Sequence, residues 1–173
     1  MLKNYVWEKP FVLREIEKHD LNAKSGIYVI GTGRPINRML ATDPNGILYI
    51  GKSVNLQNRV WAFQDWGHDA SEFLCEINWV CEKILEANYP ECQREVEKNC
   101  RVKDCLVHIV SVERTLLSEA EHAALFAYLQ NFGEYPPLNL SAPNRWHKPV
   151  DEDIHWAERG LKFKDEGHKK IGG

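Results

Sequence analysis

Gly26-Ile27-Tyr28-Val29-Ile30 and Ile47-Leu48-Tyr49-Ile50-Gly51 are two short apolar runs, and their reading decides the fold. Each sets a tyrosine among branched aliphatic residues, the composition of a pleated, buried strand. The chain between them, residues 31–45, is rich in Gly, Pro, Asn and Arg, and it closes on the turn signal Pro44-Asn45-Gly46. The two runs are therefore expected to pair as an antiparallel hairpin with a long polar loop. Cys105 to Val112 reads Cys-Leu-Val-His-Ile-Val-Ser-Val and is expected to supply a third strand.

Helical signals surround these strands. Ser53 or Asn55 is placed to cap a helix carrying Leu56, Arg59, Val60 and Phe63. A second amphipathic helix is expected from Ser71 to Ile84, and residues 91–104 are charged and fit either helix or loop. Leu116 to Leu129 has the spacing of a third helix, stopped by Gly133 to Pro137. Residues 1–24 form an N-terminal extension, with a turn or two of helix near Phe11, Val12 and Ile16. Residues 141–173 show no clear period. They are expected to form a tail that packs locally or is partly disordered, with Trp146 and Trp156 as anchors. The fold class is α+β: a small three-stranded, mostly antiparallel sheet flanked by helices, with residues 25–140 as the main domain.

The chain has 173 residues, 43% hydrophobic and 27% charged, an ordinary composition for one globular domain. No apolar run reaches the length of a membrane span, and no secretory leader is visible, so the expected location is cytoplasmic. Five cysteines, only Cys100 and Cys105 near each other, favour reduced thiols over a disulfide framework or a zinc site. The net charge of -3 weighs against a dedicated nucleic-acid binder. The window Gly26–Trp66 differs: Arg34, Arg38, Lys52 and Arg59 outnumber Asp43 and Asp65.

The tripeptides Gly26-Ile27-Tyr28 and Tyr49-Ile50-Gly51 resemble the GIY-YIG nuclease family, which is named for them. Further residues follow in the family's order. Lys52, Ser53, Asn55 and Leu56 extend the second tripeptide, and Arg59 lies on the helix behind it. Glu121 falls on a later helix, and Asn139 follows Pro136-Pro137-Leu138. The resemblance covers about residues 25–140. Two departures, the 21-residue separation of Tyr28 from Tyr49 and the long chain between Glu121 and Asn139, have the character of loop insertions.

The resemblance implies a divalent-metal-dependent endonuclease that hydrolyses DNA phosphodiester bonds. Tyr28 is the implied general base or proton shuttle, with Tyr49 beside it. A free phenol titrates near 10, so activating it at neutral pH takes roughly 4 kcal/mol, to be supplied by Lys52, Arg59 or a metal ion. Arg59 and Lys52 are the expected phosphate ligands, Glu121 the ligand of one Mg²⁺ or Mn²⁺, and Asn139 a positioning residue. Glu119, two residues from Glu121, is the alternative ligand; His68 and His122 are lesser candidates. Arg34 and Arg38 are expected to extend the DNA contact, or else simply to keep the loop soluble. Each residue also has a plainer reading: cross-strand aromatics for the tyrosines, a helix-surface charge for Arg59. Specificity would come from the 31–45 loop, from residues 64–104, from the tail or from a partner protein. The competing function is a catalytically silent DNA-binding or protein-interaction module on the same scaffold.

Overall fold

Strand β2 (Gly26–Gly31) has all six residues buried, because it lies between two other strands. In the computed structural model, which describes residues 2–21, 24–61, 105–139 and 148–163, its neighbours are β5 (Ile47–Ser53) and β6 (Leu106–Ser111). Both pairings are antiparallel, and they set Tyr28 opposite Gly51 on one side and Ile109 on the other. The sheet does not stop at the three expected strands. β1 (Phe11–Val12) pairs with β6, giving four strands in the order β1-β6-β2-β5, with every pairing antiparallel. A two-residue strand has no alternation to read, so the sequence carried no sign of it. Leu13–Lys18 then makes a 3-10 helix, where a turn or two was expected.

Register slips once. Ile30 faces Tyr49 and Gly31 faces Ile47, so Leu48 is an extra residue on β5. A bulge of this kind re-aims side chains. Here both Leu48 and Tyr49 join the cluster that holds Tyr28, Ile30, Val107 and Ile109. Helix α1 (Leu56–Trp61) covers that face with Leu56 and Val60. The other face, with Ile27, Val29, Ile50 and Val110, packs against α2 (Leu117–Phe132). Alanines 120, 123, 124 and 127 are all buried in this contact and keep the helix close to the sheet. Gly133, at φ 78°, ends α2 by donating its N–H to the Leu129 carbonyl.

The polar loop is ordered by its own small hairpin, β3 (Ile36–Asn37) and β4 (Thr42–Asp43). The fully buried Asp43 carboxylate organises the turn that follows. One oxygen accepts from Asn45 N and Gly46 N; the other accepts from Ile47 N at 2.6 Å and from the Tyr128 hydroxyl at 2.9 Å. Leu40 adds a backbone bond to Phe132 O. The hairpin is thereby drawn to the C-terminal end of α2.

The expected irregular tail contains a helix instead, α3 (Asp151–Gly160). Its first turn holds Asp151, Glu152 and Asp153, which suit a helix N-terminus. Trp156 is an anchor, as expected: it is 1% exposed and donates through Nε1 to Tyr5 O, while Trp7 Nε1 donates to Trp156 O. The N-terminal extension thus packs against α3. The expected helix at 71–84, the segment 91–104, His68, Trp146 and four of the cysteines lie outside the described residues. Cys105 is a buried free thiol. No helix among the described residues is long and apolar enough to cross a membrane.

Candidate active site

Arg59 is placed by the cap that starts its helix. Asn55 Oδ1 accepts the Asn58 N–H at 3.0 Å, and Ser53 Oγ accepts the Asn55 N–H at 3.0 Å. Leu56 is buried against the sheet, and Arg59, three residues on, lies along the same side of the helix. Its Nε donates to the Tyr28 hydroxyl at 3.1 Å, while the residue as a whole remains exposed. The Tyr49 ring lies 5.8 Å from the Tyr28 ring, tilted by 40°. Both rings close over Gly51; a Cβ there would meet Tyr28 Oη at 2.5 Å and Tyr49 Cε1 at 2.6 Å. The second tripeptide thus ends in glycine because the two tyrosines occupy that space.

Tyr28 is wholly buried, and Tyr49 is partly exposed. Burial pushes the Tyr28 phenol well above its ordinary range, and Tyr49 adds to the shift, while Arg59 offsets part of it. The surroundings therefore favour the neutral phenol, opposite to the expected stabilisation of a phenolate. On Arg59, burial acts downward, but Tyr28 and Tyr49 outweigh it and hold the guanidinium charged.

Lys52 follows Gly51 on β5 and stands opposite Ile27, so alternation directs it to the α2 side of the sheet. There its Nζ pairs with Glu121 Oε2 at 2.9 Å and donates to Ser118 Oγ at 3.0 Å. Ser118 was missed in the sequence; its only signal is the three-residue spacing from Glu121, one helical turn. The Glu121 side chain is 22% exposed, and Glu119 is exposed. β5 is one of the two edge strands of the sheet and belongs to both groups: Tyr49 and Gly51 on one side, Lys52 on the other.

Asn139 closes that edge. Its Oδ1 accepts from Ile50 N at 3.0 Å, and its Nδ2 donates to Ile50 O at 2.8 Å. With Leu138 N on Leu48 O at 3.0 Å, the segment covers the edge of β5 where Tyr49 and Gly51 flank Ile50. Arg34 is exposed on the loop. Arg38 is turned inward: Nη2 donates to Ile47 O at 2.8 Å, and its charge acts on Tyr128. His122 is 4% exposed and packs on Phe126, a structural position.

Among the described residues no group of three or more His, Cys, Asp or Glu side chains could cage a metal ion. Glu121 is a single, partly exposed carboxylate with a hydroxyl one turn away. That donor set fits a hard ion that keeps most of its water, as Mg²⁺ and Mn²⁺ do, and does not fit zinc. Comparison with protein-family models, with curated proteins and with solved structures gives no match.

Proposed function

We propose that this chain is a divalent-metal-dependent phosphodiesterase of the GIY-YIG nuclease kind, acting on DNA. The observation that carries the reading is the Arg59–Tyr28–Tyr49 cluster packed over Gly51, on the edge strand that Asn139 holds in place. A guanidinium carries five N–H donors, so one that serves the two phenols can turn others to an arriving phosphate. Tyr49 is the more accessible phenol, so it meets the attacking water; Tyr28 is neutral and buried, so it orients Tyr49 rather than acting as the base. Hydrolysis adds a hydroxyl to phosphorus and a proton to the leaving oxygen. Tyr49 can accept the water's proton only while releasing its own to solvent, which returns one proton to the leaving oxygen, so Tyr49 serves as a relay and the protons balance. Arg59 stabilises the charge that grows on the phosphoryl oxygens. Glu121 would hold the Mg²⁺ or Mn²⁺, which when bound polarises the phosphate and offsets charge on the leaving oxygen.

The test is incubation with supercoiled plasmid and Mg²⁺, beside an EDTA control and Arg59→Ala. Nicked or linear product from the wild type alone supports the reading. A second reading, a silent binding module, draws on the full burial of Tyr28 and on the Lys52 ammonium already seated on Glu121. Retained DNA binding without cleavage of linear, nicked, branched or single-stranded DNA would select it.

A further inference from the structure

The carboxylate assigned to the metal already holds a cation. Lys52 Nζ lies 2.9 Å from Glu121 Oε2, and its second contact is Ser118 Oγ at 3.0 Å. An ammonium and a divalent ion repel each other across one carboxylate, so they compete for it. The pair is not a buried structural bridge: the two side chains are 38% and 22% exposed. An ion pair this open shifts an equilibrium by no more than about fivefold, so Lys52 can leave at little cost. Its flexible stem starts on the edge strand, directly after Gly51, whose space the two tyrosines fill.

We propose that Lys52 is a removable latch on Glu121. Without nucleic acid its ammonium sits on the carboxylate and holds divalent ions off. A phosphate arriving at the β5 edge attracts Lys52 and frees Glu121 for the ion. Nucleic acid and metal therefore bind with positive coupling, which linkage makes reciprocal. The phosphate arm rests on the phosphodiesterase reading; the exclusion of metal by Lys52 does not.

Mn²⁺ binding to the whole chain, read from the electron paramagnetic resonance of free Mn²⁺, tests both arms. Lys52→Met should bind Mn²⁺ about three- to fivefold more tightly than wild type, and adding Glu121→Gln should remove the gain. Ser118→Ala, which loosens only the second contact, should give a smaller gain and guards against misfolding of the first variant. A short phosphorothioate DNA duplex should tighten Mn²⁺ binding to wild type and not to Lys52→Met. Unchanged or weaker Mn²⁺ binding by Lys52→Met overturns the latch, even if plasmid is cleaved. Tighter binding by Lys52→Met with no effect of DNA on the wild type overturns the phosphate arm, and absence of plasmid cleavage besides would bring down the nuclease reading with it.

Discussion

Gly51→Ala adds one methyl group at the point where the two tyrosines converge. Its Cβ would lie 2.5 Å from Tyr28 Oη, 2.6 Å from Tyr28 Cζ and 2.6 Å from Tyr49 Cε1. Ordinary contact begins near 3.5 Å, so the rings must retreat by about an ångström. Gly51 is not among the positive-φ glycines, so the alanine is not strained by its backbone and the cost is steric. The far end of Tyr28 cannot simply swing away, because the ring is fully buried and Arg59 Nε holds its hydroxyl at 3.1 Å. Overpacking of this kind costs about 1–3 kcal/mol, to be read from the urea midpoint. A misplacement of an ångström in a catalytic cluster costs about 100-fold in rate, to be read from plasmid nicking in Mg²⁺. Adding Tyr28→Phe removes the shortest contact and should restore part of the stability but not the rate, a coupling that only neighbouring groups show. A Gly51→Ala protein with wild-type midpoint and wild-type nicking would refute both the packing argument and the placement of the site.

Asn139→Leu breaks both bonds to Ile50 and exposes an open strand edge. It should cost about 1–2 kcal/mol in urea and speed hydrogen exchange of the Ile50 amide; unchanged exchange would remove Asn139 from its positioning role. Tyr28 and Tyr128 are both raised above 10.0, each chiefly by burial, with Tyr49 and Asp43 respectively as the next causes. Their contribution to stability is complete below that unfolded value and is lost as pH rises toward the higher folded values, so wild type should weaken above about pH 10. Tyr28→Phe and Tyr128→Phe should each flatten that fall, and an unchanged alkaline slope in both would contradict the assignment. Arg34→Ala should lower the salt dependence of DNA binding by about one phosphate contact, without loss of stability. Arg38→Met should instead lose about 1–3 kcal/mol, since it strips a donor from Ile47 O beside buried Asp43; an unfolding curve like wild type would return Arg38 to the candidate DNA contacts.

The parts of the fold legible in sequence were those with local causes. The two tripeptide strands, the Asn55 cap, the Pro44-Asn45-Gly46 turn and the glycine stop after α2 each follow from a few adjacent residues. What escaped has partners far along the chain. β1 is a strand only because β6 is beside it, and α3 is buried against α2 and against Trp7 and Tyr5 at the other end of the sequence. Asp43 counts in the sequence only as a charge of the motif window, yet one of the four hydrogen bonds it accepts comes from the Tyr128 hydroxyl 85 residues away. The site divides in the same way. Tyr28, Tyr49 and Gly51 share a face through strand pairing that their spacing announced, whereas Lys52 and Glu121 meet only because α2 lies across the sheet.

That division changes the electrostatic argument drawn from composition. Arg34, Arg38, Lys52 and Arg59 count as four cations in the sequence, but a cation attracts a phosphate only with the charge its own neighbours leave uncompensated. Glu121 neutralises Lys52 at 2.9 Å. Arg38 keeps its charge but is turned onto Ile47 O, near buried Asp43. Arg34 remains exposed, and Arg59 lies against the two tyrosines, with its Nε on the Tyr28 hydroxyl. Of the four cations Arg59 is the one beside the tyrosines, so the four do not add up to one broad basic patch. A narrow field of this kind is compatible with a net charge of -3, because acidic residues beyond about 8 Å are screened at physiological salt. Under the proposed latch Lys52 would become available as a charge only once a phosphate had drawn it from Glu121, so a first contact with DNA and the readiness of the carboxylate for a metal ion would be one event.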